Sequence, residues 1–139
     1  MQSKQVTIND VTKMEDYVSP ENAQLLKEKG FNELCLARYI YGIFVPCDSQ
    51  MRMFYHKNES MSEKECTCPT IQMVLKWLRK NHRIHIDIDY IDFLEHGEVW
   101  SATIVDMTTF KETKVENTWN DYEQMANEAI EFCLKNLVK

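Results

Sequence analysis

Isoleucine alternates with polar residues along RIHIDIDYIDF, residues 83–93. Successive side chains of a β-strand point to opposite faces, so this alternation predicts a strand that buries one face and wets the other. The preceding segment, PTIQMVLKWLRKNH at 69–82, repeats its apolar residues with the spacing of a helix. An amphipathic helix beside a one-sided strand predicts a sheet that is covered by helices.

The alternation does not persist to the end of this segment. If the strand continues unbroken, Ile91 and Phe93 fall on the polar face and Asp92 falls on the apolar face. Either a β-bulge or the end of the strand would correct the mismatch. We therefore expect one of these two features near Tyr90.

The first half of the chain predicts one helix and one hairpin. A helix is expected within YVSPENAQLLKEKGF, 17–31, because Ser19 suits its N-cap. LCLARYIYGIFV, 34–45, is apolar on both faces, which predicts a strand that is covered on both sides. PCDSQ at 46–50 has the residues of a turn, and MRMFYH at 51–56 predicts the returning strand.

The second half predicts two further strands and a long helix. VWSATIVDM at 99–107 and the more polar ETKVENT at 112–118 are expected to be strands. NDYEQMANEAIEFCLKNLVK at 120–139 is expected to be a helix, with a capping box from Asn120 and Glu123 or from Asp121 and Gln124. Its predicted apolar stripe comprises Tyr122, Met125, Ala126, Ala129, Ile130, Cys133 and Leu137.

These elements give the order α-β-β-α-β-β-β-α. Hairpin connections imply antiparallel pairing, so the predicted fold class is α+β, with three helices and one antiparallel sheet of about five strands. No linker divides the chain, and we expect a single domain over residues 1–139. We expect residues 1–16 to be a flexible terminus and residues 57–67, which lack any apolar period, to be an exposed loop.

Composition narrows the classes of function. The net charge of −6 argues against nucleic acid as a partner, because phosphate binding relies on Lys and Arg. The chain has no apolar run of the roughly 20 residues that span a bilayer and no signal peptide, so we expect a soluble cytoplasmic protein without membrane contact. Phosphate-binding loops and nucleophile elbows are absent from the sequence, so we expect no cofactor.

Three phrases resemble a known group of proteins: YVSPENAQLLKEKGFNELC, CPTIQMVLKWLRKNHRIHIDI and NDYEQMANEAIEFCLKNLV. They are similar to a family of small uncharacterised proteins from phages, prophages and mobile elements of gut Bacteroides-type bacteria. The KWLR phrase of that family matches 76–79, whereas 122–125 departs from its YEEA phrase. The resemblance implies an intracellular, phage-associated accessory protein and no particular activity.

His85, Asp87 and Asp89 are the candidate metal ligands. Alternate residues on a strand project from one face about 6.5–7 Å apart, and an imidazole with two carboxylates suits zinc, manganese or iron. Asp92 or His96 could complete the ligand set. The alternative is that the three residues form only the wet face of a one-sided strand.

Two of the five cysteines, Cys66 and Cys68, lie one residue apart and could hold zinc or act as a redox pair. However, structural zinc sites have a second pair of ligands, and the sequence shows none near this spacing. Cys35 and Cys133 fit small buried positions.

Tyr39, Tyr41 and Tyr55 of the first predicted hairpin form the candidate partner-binding surface. Tyrosines on an open sheet face can anchor a protein partner, whereas tyrosines on a covered face belong to the core. An acidic chain suits a protein partner or a second copy of itself better than RNA.

Three functional hypotheses follow. The first is a small accessory protein without catalytic activity that acts through protein–protein contacts, with a protein partner or as a homodimer. The second is a metal-dependent hydrolase or nuclease built on the His85, Asp87 and Asp89 face. The third is a module like those that bind double-stranded RNA, because the predicted order of the last five elements, α-β-β-β-α, is shared with such domains.

Overall fold

The computed structural model describes residues 16–46, 55–93 and 97–139. The chain divides into two compact units, the first ending at Thr70 and the second beginning at Ile71. In chain order the elements are α1 (Pro20–Glu28), β1 (Ala37–Ile40), β2 (Ile43–Val45), a 3-10 turn (Asn58–Ser60), β3 (Glu65–Cys68), α2 (Ile71–His82), β4 (Ile84–Phe93), β5 (Gly97–Asp106), β6 (Glu112–Lys114) and α3 (Tyr122–Asn136). The fold class is α+β with three helices, as the sequence predicts.

The predicted single sheet is wrong. The described strands form two antiparallel sheets of three strands each, in the order β2-β1-β3 in the first unit and β4-β5-β6 in the second. The sequence indicates where strands occur and says little about which strands pair, since that choice depends on non-local contacts. The prediction of one domain stays a prediction.

In the first unit, α1 packs against β3 and covers one face of the sheet. Ser19 caps the helix as predicted, because its hydroxyl accepts a hydrogen bond from the Asn22 N–H at 3.1 Å. The covered face is apolar. Its fully or nearly fully buried residues are Ala23, Leu26, Phe31, Ala37, Tyr39, Cys66 and Cys68.

The predicted strand over 34–45 is interrupted by a two-residue turn. Tyr41 and Gly42 have φ angles of +52° and +78°, which is the backbone of a tight hairpin turn between β1 and β2. The turn therefore comes earlier than the predicted turn at 46–50, of which residues 47–50 lie outside the described residues. The predicted returning strand at 51–56 lies mostly outside them as well, although His56 forms a bridge with Cys35.

The segment 57–67, predicted to be an exposed loop, is exposed at residues 59, 60 and 62–64 but not along its whole length. The segment contains the 3-10 turn and most of β3, and Thr67 is completely buried. Asn58 is also buried; its amide donates to the Phe31 carbonyl at 2.8 Å and its carbonyl accepts from the Thr67 N–H at 2.9 Å. These partners satisfy the polar backbone of a segment that has no apolar period, so periodicity could not reveal it. The predicted flexible terminus, 1–16, lies outside the described residues except for Asp16.

In the second unit, α2 and α3 pack against the sheet on the side that carries the first isoleucines of β4. Asp121 is the N-cap of α3, and its carboxylate accepts from the Glu123 N–H at 3.0 Å. The stripe of α3 is buried from Met125 to Cys133 as predicted, but Leu137 is 40% exposed and Val138 is buried instead. The buried residues of this core include Ile71, Val74, Leu78, Ile84, Ile86, Ala102, Ile104, Met125, Ile130 and Leu134.

The expected irregularity near Tyr90 is also wrong. All ten residues of β4 pair with β5 in one unbroken register, from Ile84 opposite Asp106 to Phe93 opposite Gly97. The C-terminal part of β4 is less buried than its beginning, since Tyr90 is 52% exposed and Ile91 is half-buried. The strand can therefore continue there although its two faces are no longer strictly apolar and polar. Within the described ranges, no helix is both long and apolar enough to cross a membrane.

We predict that Asn58→Ala lowers the free energy of unfolding by about 2 kcal/mol, because it leaves the buried Thr67 N–H without its acceptor. Urea unfolding followed by circular dichroism measures the change. Ser60→Ala, an exposed substitution in the same turn, is the control and should change stability by less than about 0.5 kcal/mol. Equal effects of the two substitutions would contradict the role given to Asn58.

Candidate functional site

The candidate metal ligands lie on one face of β4, as the alternation predicts. His85 is half-buried, and Asp87 and Asp89 are exposed. Their direct neighbours on β5 are Val105, Thr103 and Ser101, respectively, so the neighbouring strand adds no imidazole or carboxylate opposite them.

These three residues do not form a metal site in the described part of the chain. Among residues 16–46, 55–93 and 97–139, no group of three or more His, Cys, Asp or Glu side chains is placed to hold a metal ion. His96 lies outside the described residues, and so does the side chain of Asp92. The metal hypothesis stays a prediction, and the residues opposite these three on β5 supply no further ligand for it.

The cysteine pair belongs to the covered face of the first sheet. Cys66 and Cys68 lie on β3, opposite Tyr39 and Ala37, respectively, and both are buried. Burial raises the pKa of Cys68 to about 12 and also raises the pKa of Cys66. A thiol held in its neutral form is a poor nucleophile and a poor metal ligand, so this position suits packing.

The candidate partner-binding tyrosines do not share one surface. Tyr39 is buried, and its hydroxyl donates to the Val18 carbonyl at 2.7 Å, so the prediction is wrong for Tyr39. Burial also raises the pKa of this phenol. Tyr41 is 72% exposed at the turn that follows the last residue of β1. Tyr55 is also exposed, but it lies near the first residue of β1, because its neighbour His56 forms a bridge with Cys35.

The turn places several exposed groups close together, and we call Tyr41, Gly42 and Ile43 the hairpin tip. Ile43 is 67% exposed beside Tyr41. The ammonium of Lys64 lies 5.9 Å from the centroid of the Tyr41 ring, and the Tyr41 N–H donates to the Lys64 carbonyl at 3.0 Å. The tip therefore presents an apolar surface whose backbone is fixed on one side by the segment before β3.

An aromatic cluster in the second unit was missed from the sequence. The ring centroids of Tyr90 and Trp100 are 5.3 Å apart, and those of Trp100 and Tyr122 are 5.1 Å apart, both edge to face. The Trp100 indole N–H donates to Glu98 at 2.6 Å, and that of Trp119 donates to Glu128 at 2.8 Å. Pairing of Tyr90 with Trp100 follows from strand register, which the sequence does not state. The satisfied indoles make this a packing cluster.

Comparison of the chain with protein-family models, with curated proteins and with solved structures finds no match. The resemblance to a phage-associated family therefore stays a prediction. The second unit does contain the order α-β-β-β-α that motivated the RNA-binding hypothesis, but element order alone carries little functional information.

We predict that the four described cysteines resist alkylation in the folded protein. Burial raises the pKa values of Cys35 to about 11 and of Cys133 to about 12, and it raises those of Cys66 and Cys68 in the same direction. Near pH 8 these thiols remain protonated and covered, so peptide mass spectrometry after a short iodoacetamide pulse should show each of them unmodified. The same pulse in urea is the control and should label all four; rapid native labelling at Cys66 or Cys68 would revive the redox hypothesis.

We further predict that Mn²⁺ and Zn²⁺ change the melting temperature of wild-type protein and of Asp87→Asn/Asp89→Asn equally. Because His85, Asp87 and Asp89 are not grouped to hold an ion, the two exposed carboxylates cannot offset the loss of the ion's hydration. Thermal shift titrations measure this comparison. A saturable stabilisation that the double variant lacks would support the metal hypothesis instead.

Proposed function

We propose that this chain is a small soluble cytoplasmic accessory protein that has no catalytic activity of its own and acts through protein–protein contacts. The hairpin tip is the contact that we assign to a protein partner. The sequence resemblance to phage-associated accessory proteins is consistent with this role.

The conformation of Tyr41 is the observation that carries the proposal. A left-handed backbone is unfavourable for a tyrosine, by about 1–3 kcal/mol, whereas Asn, Asp and Gly adopt it readily in such turns. The chain nevertheless has a tyrosine there, and this residue is 72% exposed to water. The Lys64 ammonium over its ring is one contact within the fold, and an exposed aromatic ring in a strained turn also suits a rigid anchor for a partner.

Phe110 shows why exposure alone is not sufficient. It also has a left-handed backbone, with φ +63°, and it is 82% exposed. Its neighbours along the chain, Thr108, Thr109 and Lys111, are exposed and polar. Tyr41 instead adjoins exposed Ile43, and aromatic anchors work within apolar patches that exclude water.

We predict that Tyr41→Asn raises the stability of the fold and weakens partner binding. Asn-Gly is favoured in a two-residue hairpin turn, so the free energy of unfolding should rise by about 0.5–1 kcal/mol. Loss of an aromatic anchor should weaken binding by roughly 30-fold. Urea unfolding measures the first effect, and titration calorimetry with the purified partner measures the second.

The partner is identified by placing a photo-crosslinking phenylalanine analogue at position 41 in living host cells, with the same analogue at position 110 as the matched control. A protein adduct specific to position 41, whose purified component binds the wild type and loses affinity for Tyr41→Asn but not for Phe110→Asn, supports the proposal. Identical adducts from both positions, or binding that Tyr41→Asn does not change, would refute it.

A further inference from the structure

The main-chain hydrogen bonds of β4 show which of its residues face the outer edge of the sheet. The Met107 N–H donates to the Arg83 carbonyl at 2.8 Å, and these two residues continue the register of β4 and β5. In an antiparallel pair, bonded residues alternate with residues whose N–H and C=O point away. The odd-numbered residues of β4 therefore bond to β5, and the even-numbered ones point to the opposite edge.

The other side of β5 confirms this assignment. Trp100 and Trp119 exchange both of their main-chain hydrogen bonds, and the Val115 N–H donates to the Ala102 carbonyl. Even-numbered residues of β5 thus bond toward β6, which leaves its odd-numbered residues for β4. Within the described ranges, β4 is the terminal strand of its sheet, so the N–H and C=O groups of Ile84, Ile86 and Ile88 form an edge without a paired strand.

A long, regular strand at the edge of a sheet is a template for another strand. The residues whose main-chain groups point to the free edge are the even-numbered ones, and these are the isoleucines. The odd-numbered residues His85, Asp87 and Asp89 bond to β5 and have their side chains on the polar face. A strand added at this edge would meet Ile84, Ile86 and Ile88 as hydrogen-bonded pairs. It would meet the odd residues as non-bonded pairs, in which side chains approach most closely.

We propose that the strand added at this edge is β4 of a second copy of the chain, paired antiparallel with its two-fold axis at Ile86. In this register Ile84 lies opposite the partner's Ile88, and Ile86 lies opposite itself. His85 lies opposite Asp87, and Arg83 lies opposite Asp89, each pair occurring twice. The segment Arg-Ile-His-Ile-Asp-Ile-Asp is therefore complementary to itself, with basic groups in its first half and acids in its second.

Charge selects this register over those displaced toward the C-terminal end of β4. Moving the axis to Asp87 places that carboxylate opposite itself, and moving it to Ile88 places Asp87 opposite Asp89 twice. An axis at Asp89 again pairs identical acids. Like charges directly opposite each other in a sheet are destabilising, whereas opposite charges stabilise each pair by about 0.2–1 kcal/mol. The register centred on Ile86 alone among these avoids an acid–acid pair.

The resulting interface is closed and symmetric. A two-fold axis uses the same surface on both copies, so pairing stops at the dimer and joins two three-stranded sheets into one. The exposed acids Asp87 and Asp89, which lie opposite Thr103 and Ser101 on β5, gain the His85 imidazole and the Arg83 guanidinium, respectively, as neighbours on their other side. The half-buried Ile88 is covered by Ile84 of the second copy on the opposite face.

Reversing single charges tests the register. In Asp89→Arg, two arginines oppose each other twice per dimer, and in Arg83→Asp two acids do so. Each variant should weaken dimerisation by roughly tenfold or more, as sedimentation velocity over a concentration series measures. The double variant Arg83→Asp/Asp89→Arg restores both opposite-charge pairs and should dimerise as the wild type does. Aspartate tolerates the left-handed backbone of Arg83, φ +55°, so the swap does not disturb the chain there.

Glu112→Arg is the matched control, since it makes the same change of charge at an exposed position on β6, away from this edge. It should leave the dimer intact, and circular dichroism should show all variants folded. A wild-type protein that remains monomeric throughout the series overturns the proposal. Dimerisation that Asp89→Arg leaves unchanged, or that the double variant does not restore, overturns it as well.

Disulfide formation provides a second test that does not depend on charge. His85→Cys/Asp87→Cys places two cysteines directly opposite each other across the proposed interface and should give an oxidised dimer on a denaturing gel. Asp87→Cys alone leaves the two introduced thiols diagonal, about 7–8 Å apart, which exceeds the usual span of a disulfide. Cross-linking by Asp87→Cys alone, or its absence in the double variant, would overturn the register.

This inference stands apart from the proposed function, because the hairpin tip lies in the first unit and β4 in the second. Asp89→Arg should weaken self-association and leave the cross-linked adduct at position 41 unchanged. Tyr41→Asn should weaken binding of the purified partner and leave self-association unchanged. The two proposals therefore fail separately.

Discussion

The second unit depends on the unbroken pairing of β4 with β5. The side chains of a strand alternate with a period of two, so a slip of one residue would exchange its two faces. Such a slip would carry Asp87 toward the helices and bring Ile86 into water. Burial of Ile84 and Ile86 beneath α2 and α3 holds the strand in one register. That register in turn fixes the position of Trp100 beside Tyr90. It also determines that the main-chain groups of the even-numbered residues point to the free edge of β4.

The first unit is held together differently, by polar groups that have partners inside it. Asn58 links the Phe31 carbonyl to the Thr67 N–H, and the Tyr39 hydroxyl reaches the Val18 carbonyl. The Lys27 ammonium donates to the carbonyls of Ser62 and Glu65, both at 2.6 Å. A segment of low hydrophobicity can therefore supply a strand to this sheet, because side chains and helix residues satisfy its main chain.

Local periodicity predicted the parts of the fold that local forces decide. The stripes of α2 and α3, the Ser19 cap and the alternation of β4 all appear where the sequence places them. Pairing was not predictable in the same way: Tyr41-Gly42 lies within an apolar run, and β3 lies within a polar one, so neither turn nor strand stands out. For the candidate sites, the sequence located the exposed Tyr41 and the polar face of β4. It could not distinguish Tyr39 from Tyr41, since both occupy alternate positions of one aromatic segment and only the position of α1 and of the turn separates them.

The alternation of residues along β4 assigns two tasks to different residues: the main chain of one set would bind another strand, and the side chains of the other set would select it. The atoms that would hold another strand belong to the main chain of residues whose side chains are committed to the core, and main-chain atoms do not change when a residue is replaced. The atoms that would choose that strand belong to the intervening residues, which contribute little to the core. Substitutions at His85, Asp87 or Asp89 would therefore change which strand this edge accepts, while its main-chain hydrogen-bonding groups and the core stay the same. A chain with the paired exchange Arg83→Asp/Asp89→Arg would assemble with itself and exclude the original chain, because each mixed pair would oppose like charges.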